Sequence, residues 1–262
     1  MAGRCAGDTG YDLLSPLLAT DQLTVRFGDF VAVRGVCLRV AAGTVHAVIG
    51  PNGAGKTSLF NAISGFAIPS AGRVRLCGED ITAKPPNELA RRGVARSFQI
   101  CSIFPNLSVV DNVRMALSND LPRTRLVRAR AGGDASHRQA VDLIAGAGLA
   151  EEADRRAADL PYGRRRLLEL VTTIALKPRL LLLDEPTSGL AREDIAPVMA
   201  LIRQVTATCG VLLVEHNLDV VQSLADTVTV MAEGAILCEG GYQEVSGDRR
   251  VMEAYIGVAG RG

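Results

Sequence analysis

The sequence predicts an α/β fold built on a mostly parallel sheet, with an antiparallel β subdomain ahead of it and an α-helical subdomain inserted into it. Three observations predict this. Strands that are continuously or almost continuously apolar, Leu180 to Leu183, Val211 to Val214 and Val228 to Met231, are separated by the helical segments Ile195 to Val205 and Leu218 to Leu224, as a sheet covered on both faces requires. A further apolar strand, Val45 to Ile49, runs into a Gly-rich loop and then a helix, Thr57 to Ser64. The chain ahead of Val45 carries the two-residue period of a hairpin, whereas residues 108 to 176 read mainly as helix.

Taken in order, residues 1–20 are rich in Gly, Asp and Thr and read as a loosely ordered extension, with one domain over 21–262. Leu23 to Phe27, a Gly28-Asp29 turn and Phe30 to Val40 form the hairpin. Arg73 to Cys77 and Val94 to Phe98 read as short strands, with Lys84-Pro85-Pro86 a loop between them. The helical insertion covers roughly 100–176 and is broken by an Arg-rich connection, Leu121 to Gly133. Arg123, Arg125, Arg128 and Arg130 there read as solvated charge, with anionic lipid or a partner loop as the alternative. Glu233-Gly234 turns a last hairpin, and a short helix, Arg249 to Ile256, follows.

Composition excludes several classes. With 262 residues, 48% of them hydrophobic and 22% charged, the chain is globular. Lys plus Arg number 29 against 28 Asp plus Glu, so no global charge draws it to nucleic acid. Cys5, Cys37, Cys77, Cys101, Cys209 and Cys238 form no C-x-x-C pair and read as buried thiols in a reducing compartment. No apolar run has the ~20 residues that a membrane span needs, and the first residues lack the order of a secretory signal. The expectation is a soluble, cytosolic chain that docks on something in a membrane.

Gly50-Pro51-Asn52-Gly53-Ala54-Gly55-Lys56-Thr57 matches G-x-x-x-x-G-K-[ST] between a strand and a helix. The glycines let backbone N–H groups approach phosphates, the helix N-terminus adds its positive end, Lys56 reaches the β- and γ-phosphates, and the Thr57 hydroxyl suits Mg²⁺. Ser58 completes the expected nucleotide-binding set. This makes the core that of a P-loop NTPase. Strand Leu180 to Leu183 ends in Asp184-Glu185. Asp184 suits the metal shell and Glu185 a base that activates water, or the two acids cap the turn that follows. His216 follows the strand Val211 to Val214 and alone would read as structural.

The Gly50 loop, Gln99 after Arg96-Ser97-Phe98, the segment Leu160-Pro161-Tyr162-Gly163-Arg164 opening a helix, Asp184-Glu185 and His216 stand in the order and spacing of ABC-transporter ATPase subunits. The resemblance covers residues 21 to 258. It implies ATP and Mg²⁺ held in a head-to-tail dimer, where the phosphate loop (Walker A) of one subunit faces the signature segment of the other. It further implies that Phe27 stacks on adenine, the alternative being hairpin core, and that Gln99 contacts Mg²⁺ and the water. Glu185 is then the catalytic base after the Walker B strand, and His216 a switch that contacts the γ-phosphate. Leu160, Pro161, Tyr162, Gly163 and Arg164 are implied to face the partner's nucleotide.

Two departures from the family pattern stand out. Pro161 replaces the usual serine of L-S-G-G-Q, removing a hydroxyl and an N–H. Ala191 stands where an aspartate often follows the Walker B turn. Together with Arg164 to Glu169 and the ending Val251 to Gly257, the Leu-Pro-Tyr-Gly segment is similar to importers of branched-chain and other hydrophobic amino acids. Such systems imply a second, non-identical ATPase subunit, two transmembrane permease subunits and an extracytoplasmic solute-binding protein, at the cytoplasmic face of the membrane and without nucleic acid. The competing readings are an exporter ATPase of the lipopolysaccharide type and a soluble relative acting on nucleic acid or ribosomes.

Overall fold

In the computed structural model, which describes residues 16–97, 103–118 and 135–259, the alternating residues ahead of Val45 form an antiparallel sheet. Its strands are β1 (Leu18–Phe27), β2 (Phe30–Val36), β3 (Arg39–Val40), β5 (Ala71–Leu76) and β6 (Glu79–Asp80), ordered β2-β1-β5-β6 with β3 also on β1. Phe27 pairs with Phe30 across the Gly28-Asp29 turn.

The expected boundary at residue 20 is corrected here. β1 starts at Leu18, which pairs with both Leu76 and Val40, and Leu17, Leu18 and Thr20 are buried. The apolar Leu17-Leu18 pair therefore draws this part of the Gly-, Asp- and Thr-rich segment into the sheet. The long second strand of the hairpin is corrected too: it divides at Cys37-Leu38 into β2 and β3.

The second sheet joins β4 (Val45–Ile49), β7 (Val94–Arg96), β8 (Leu180–Asp184), β9 (Gly210–Val214), β10 (Thr227–Ala232) and β11 (Ala235–Gly240) in the order β11-β10-β4-β9-β8-β7. All neighbours from β10 to β7 run parallel, and only β11 is antiparallel, returning through Glu233-Gly234. Its strands are largely apolar because each face has its own core, with His46, Arg96 and Thr229 as buried polar exceptions. Leu181, Leu183, Val211 and Leu213 pack on the helical side, whereas Leu180, Leu182, Leu212 and Val214 join Leu59, Phe60, Ile63, Leu18 and Leu23 on the other. Each fully buried leucine contributes ~2 kcal/mol of apolar transfer.

Helix α1 (Lys56–Ile63) follows the Gly-rich loop, and α2 (Pro86–Arg91) lies before β7. Lys84-Pro85-Pro86 is not wholly a loop: Pro86 opens α2, since its fixed φ suits the first helical position, where no N–H is needed. Helices α3 (Val109–Leu117), α4 (Ala135–Gly146) and α5 (Tyr162–Ala175) stand between β7 and β8. Ser108 caps α3 by accepting from the Asp111 N–H at 3.1 Å. After β8 come α6 (Arg192–Val205), α7 (Leu218–Leu224), α8 (Tyr242–Ser246) and α9 (Arg249–Ala259). Among the described residues no helix is long and apolar enough to cross a membrane.

The described cysteines form no disulfide with one another, and not all of them are buried. Cys209 is buried, and burial pushes its thiol up to about 11. Cys37 and Cys238 are half-buried, and Cys77 is exposed because β5 ends there in a left-handed turn (φ 50°). Cys5 and Cys101 lie outside the described residues.

A buried histidine couples two strands of the parallel sheet. His46 Nε2 on β4 lies 2.7 Å from Thr229 Oγ1 on β10, and Thr229 donates to Glu239 Oε2 at 2.6 Å. Burial lowers the His46 pKa from 6.5 to about 4, opposed by a backbone hydrogen bond with Arg39. The unfolded chain therefore binds a proton at His46 that the folded chain refuses. Its stabilising contribution is complete above pH 6.5 and is lost as pH falls toward 4, by about 3 kcal/mol in total. Urea unfolding across pH 4–7 should show that slope in the wild type, and His46→Asn should flatten the difference.

Candidate active site

Strand β4 delivers the chain at Gly50, and Gly55 holds a left-handed φ of 95° as the N-cap of α1. A Cβ at Gly55 would lie 2.3 Å from the Ala32 carbonyl, so only glycine lets the loop pass this close to β2. Asn52, Gly53 and Thr57 are exposed, Pro51, Lys56 and Ser58 are half-buried, and Ala54 is buried. The loop is thus open on one side and anchored on the other. Lys56 Nζ donates to the carbonyls of Gly50 at 2.7 Å and Pro51 at 3.0 Å. Burial lowers its pKa, opposed by the charges of Glu185 and Asp184. The phosphate loop and the two acids, far apart in sequence, therefore share one electrostatic site.

Asp184 ends β8 half-buried, and Glu185 follows at φ 48° with its N–H donating to Val214 O at 2.8 Å. His216, at the end of the neighbouring strand, is exposed and brings Nδ1 to 3.7 Å from Glu185 Oε2. Sequence reasoning gave His216 meaning only through its company, and the fold supplies that company. Phe27 is 57% exposed, so it is not hairpin core. Gln99 and the Arg-rich connection lie outside the described residues.

The segment from Leu160 opens α5, with Pro161 at the N-cap. Leu160 is buried, Pro161 and Tyr162 are exposed, and Arg164 is bound to Glu152 at 2.8 Å and to the Gly148 carbonyl at 2.7 Å. A Cβ at Gly163 would lie 1.9 Å from Asp194 Oδ2, so a larger residue there would require the Asp194 side chain on α6 to shift. Ala191 is the N-cap of α6 and supplies no side-chain cap.

Three residues escaped the sequence reading. Phe30, 65% exposed, lines a cavity of about 440 Å³ together with Gly53, Arg34 and Glu233; an aromatic beside the hairpin turn was its only signal. Glu215 is buried between the Glu185 and His216 loops. Arg96 on β7 is 1% exposed and joins Asp184 at 2.8 Å, Asn61 at 2.7 Å and Ser64 at 3.0 Å. Its guanidinium also lies within 5.8 Å of the Phe60 and Phe66 ring centres. An arginine on a strand that packs into the parallel sheet could have flagged it, since such a charge must be paired.

Arg96 ties the Walker B acid to α1 and hence to the phosphate loop. Arg96→Met should lower stability by ~2–3 kcal/mol, below the ~3–5 of a fully buried broken pair because Asp184 is a quarter exposed. The urea midpoint measures this. A loss under ~0.5 kcal/mol, the level of an ordinary surface change, would show that the pair is dispensable.

The ABC transporter family matches residues 33–188. The high-affinity branched-chain amino acid transport ATP-binding protein BraF of Pseudomonas aeruginosa is 37% identical over 253 residues, covering 93% of this chain and 99% of that protein. LivG of Escherichia coli, of the same description, is 34% identical over 254 residues with the same coverage. The crystal structure of the ADP conformation of an ATP-binding cassette of an ABC transporter superposes with a TM-score of 0.79 at 30% identity, over 93% of this chain and 99% of that one. With the Gly50 loop, Asp184, Glu185 and His216 assembled at the ends of β4, β8 and β9, this chain belongs to the ABC transporter family and is an ATP-binding subunit whose ATPase activity is coupled to transport.

Proposed function

We propose that the chain powers import of branched-chain or other hydrophobic amino acids. Its relatives named for branched-chain amino acid transport match it over 99% of their own length, and this observation carries the proposal. The chain works at the cytoplasmic face of the membrane with two permease subunits, which receive solute from an extracytoplasmic binding protein. Its test is ATPase turnover of the reconstituted transporter with binding protein loaded in turn with leucine, isoleucine, valine or a sugar. Stimulation by the branched-chain amino acids supports the proposal; stimulation by the sugar alone overturns it.

Within the site, ATP takes the loop from Gly50 to Ser58, and its base meets the exposed aromatic edge of Phe27 and Phe30. The Thr57 hydroxyl, Asp184 and Gln99 would hold Mg²⁺, which would neutralise charge on the nucleotide phosphates. That donor set suits the ion, which usually takes one or two carboxylates plus phosphate oxygens. Glu185 draws the proton from the attacking water, and His216 meets the γ-phosphate. The segment around Pro161 and Tyr162 faces the nucleotide of a second, non-identical ATPase subunit in a head-to-tail dimer. Pro161 offers that nucleotide neither hydroxyl nor N–H, leaving the start of α5 as its main electrostatic contribution. Equal turnover at both sites of a purified homodimer would count against the unlike partner.

A further inference from the structure

We infer that Glu215 is a positioning residue, one that sets His216 against Glu185 without itself touching nucleotide. The inference rests on the proposed roles of Glu185 as base and His216 as γ-phosphate switch.

Glu215 follows β9 directly and its side chain is 0% exposed. Its Oε1 accepts from the Thr187 N–H at 3.1 Å and from the Thr187 hydroxyl. Its Oε2 accepts from the N–H groups of His216 at 2.9 Å and Asn217 at 3.2 Å. One oxygen thus serves the turn after Glu185, and the other serves the loop of His216. A carboxylate with both oxygens accepting can join two loops this way, whereas an amide presents an NH₂ to one pair of donors and repels them. Leaving those buried N–H groups unpaired would be costly.

The surrounding bonds keep the span short. Asp184 pairs with Val214 in the sheet, and the Glu185 N–H donates to the Val214 carbonyl, so the two loops start in register. Asn217, the next residue held by Glu215, caps α7 by accepting from the N–H groups of Asp219 and Val220. The loop of His216 is therefore fixed at one end by α7 and at the other by Glu215. Between these anchors His216 Nδ1 sits 3.7 Å from Glu185 Oε2 and 3.8 Å from Glu215 Oε2. A histidine on an exposed loop would otherwise sample many positions. Glu215 confines it to the side of the base.

The test is a double-mutant cycle on the full-length chain, reading kcat and KM for ATP in wild type, Glu215→Gln, His216→Ala and the double variant. Glu215→Gln is expected to lower kcat ~10-fold or more with KM changed less than ~3-fold, and to add less than ~2-fold once His216 is absent. Thr187→Val removes one donor from the same carboxylate, so a smaller loss with the same dependence on His216 is expected if Glu215→Gln fails to fold. Equal losses in the presence and absence of His216 would overturn the inference and leave the proposed roles standing. If His216→Ala alone kept full turnover, the role of His216 and the inference built on it would both fail.

Discussion

Glu185→Gln is expected to bind ATP with an affinity close to wild type and to hydrolyse it at least ~10²-fold more slowly, the loss expected when a water-activating base is removed. The structure explains why binding should survive. Glu185 is held by its backbone, through the Val214 carbonyl, and its side chain is 45% exposed. Glutamine therefore replaces the carboxylate without emptying a core or stranding a buried donor. What disappears is an oxygen basic enough to draw a proton from water, together with the negative charge beside His216 and Lys56. Removing that charge should, if anything, favour the anionic nucleotide. Single-turnover hydrolysis and equilibrium binding on the same preparation separate the two effects. Turnover within a few-fold of wild type would remove Glu185 from the role of base.

How much of this was legible in the sequence follows from how local each part is. The phosphate loop lies within eight consecutive residues, and the apolar strands that carry Asp184, Glu185 and His216 announce themselves by composition. The parallel sheet was legible for the same reason, since strands buried on both faces are apolar at most positions. The parts that escaped are those defined by a partner far along the chain. Arg96 acquires its role from Asp184, 88 positions away, and Glu215 from Thr187, 28 positions away. Nothing adjacent to either residue names its partner. Element boundaries failed for a related reason. Leu17 and Leu18 look like stray apolar residues in a polar extension until β5 and β3 arrive to cover and pair with them.

Lys56→Ala is expected to abolish nucleotide binding itself, which separates it from Glu185→Gln. Its ammonium already lies over the loop, donating to Gly50 and Pro51 carbonyls, so little reorganisation is needed to reach a phosphate. Each charge-assisted hydrogen bond to a phosphate oxygen is worth ~1.5–3 kcal/mol, so losing contacts to both β- and γ-phosphates weakens binding ~10²-fold or more. A second effect adds to this. Glu185 and Asp184 act on Lys56 across the site, and without this cation Glu185 confronts the triphosphate less screened, whereas Asp184 keeps its pair with Arg96. Lys56→Arg keeps the charge but not the compact, rotatable head, and is expected to recover only part of the affinity. Equilibrium titration with a non-hydrolysable ATP analogue reads both variants. Retained wild-type affinity in Lys56→Ala would undercut the assignment of the loop from Gly50 to Thr57. Binding lost there but kept in Glu185→Gln would place the phosphate cradle on one side of the site and the hydrolytic water on the other.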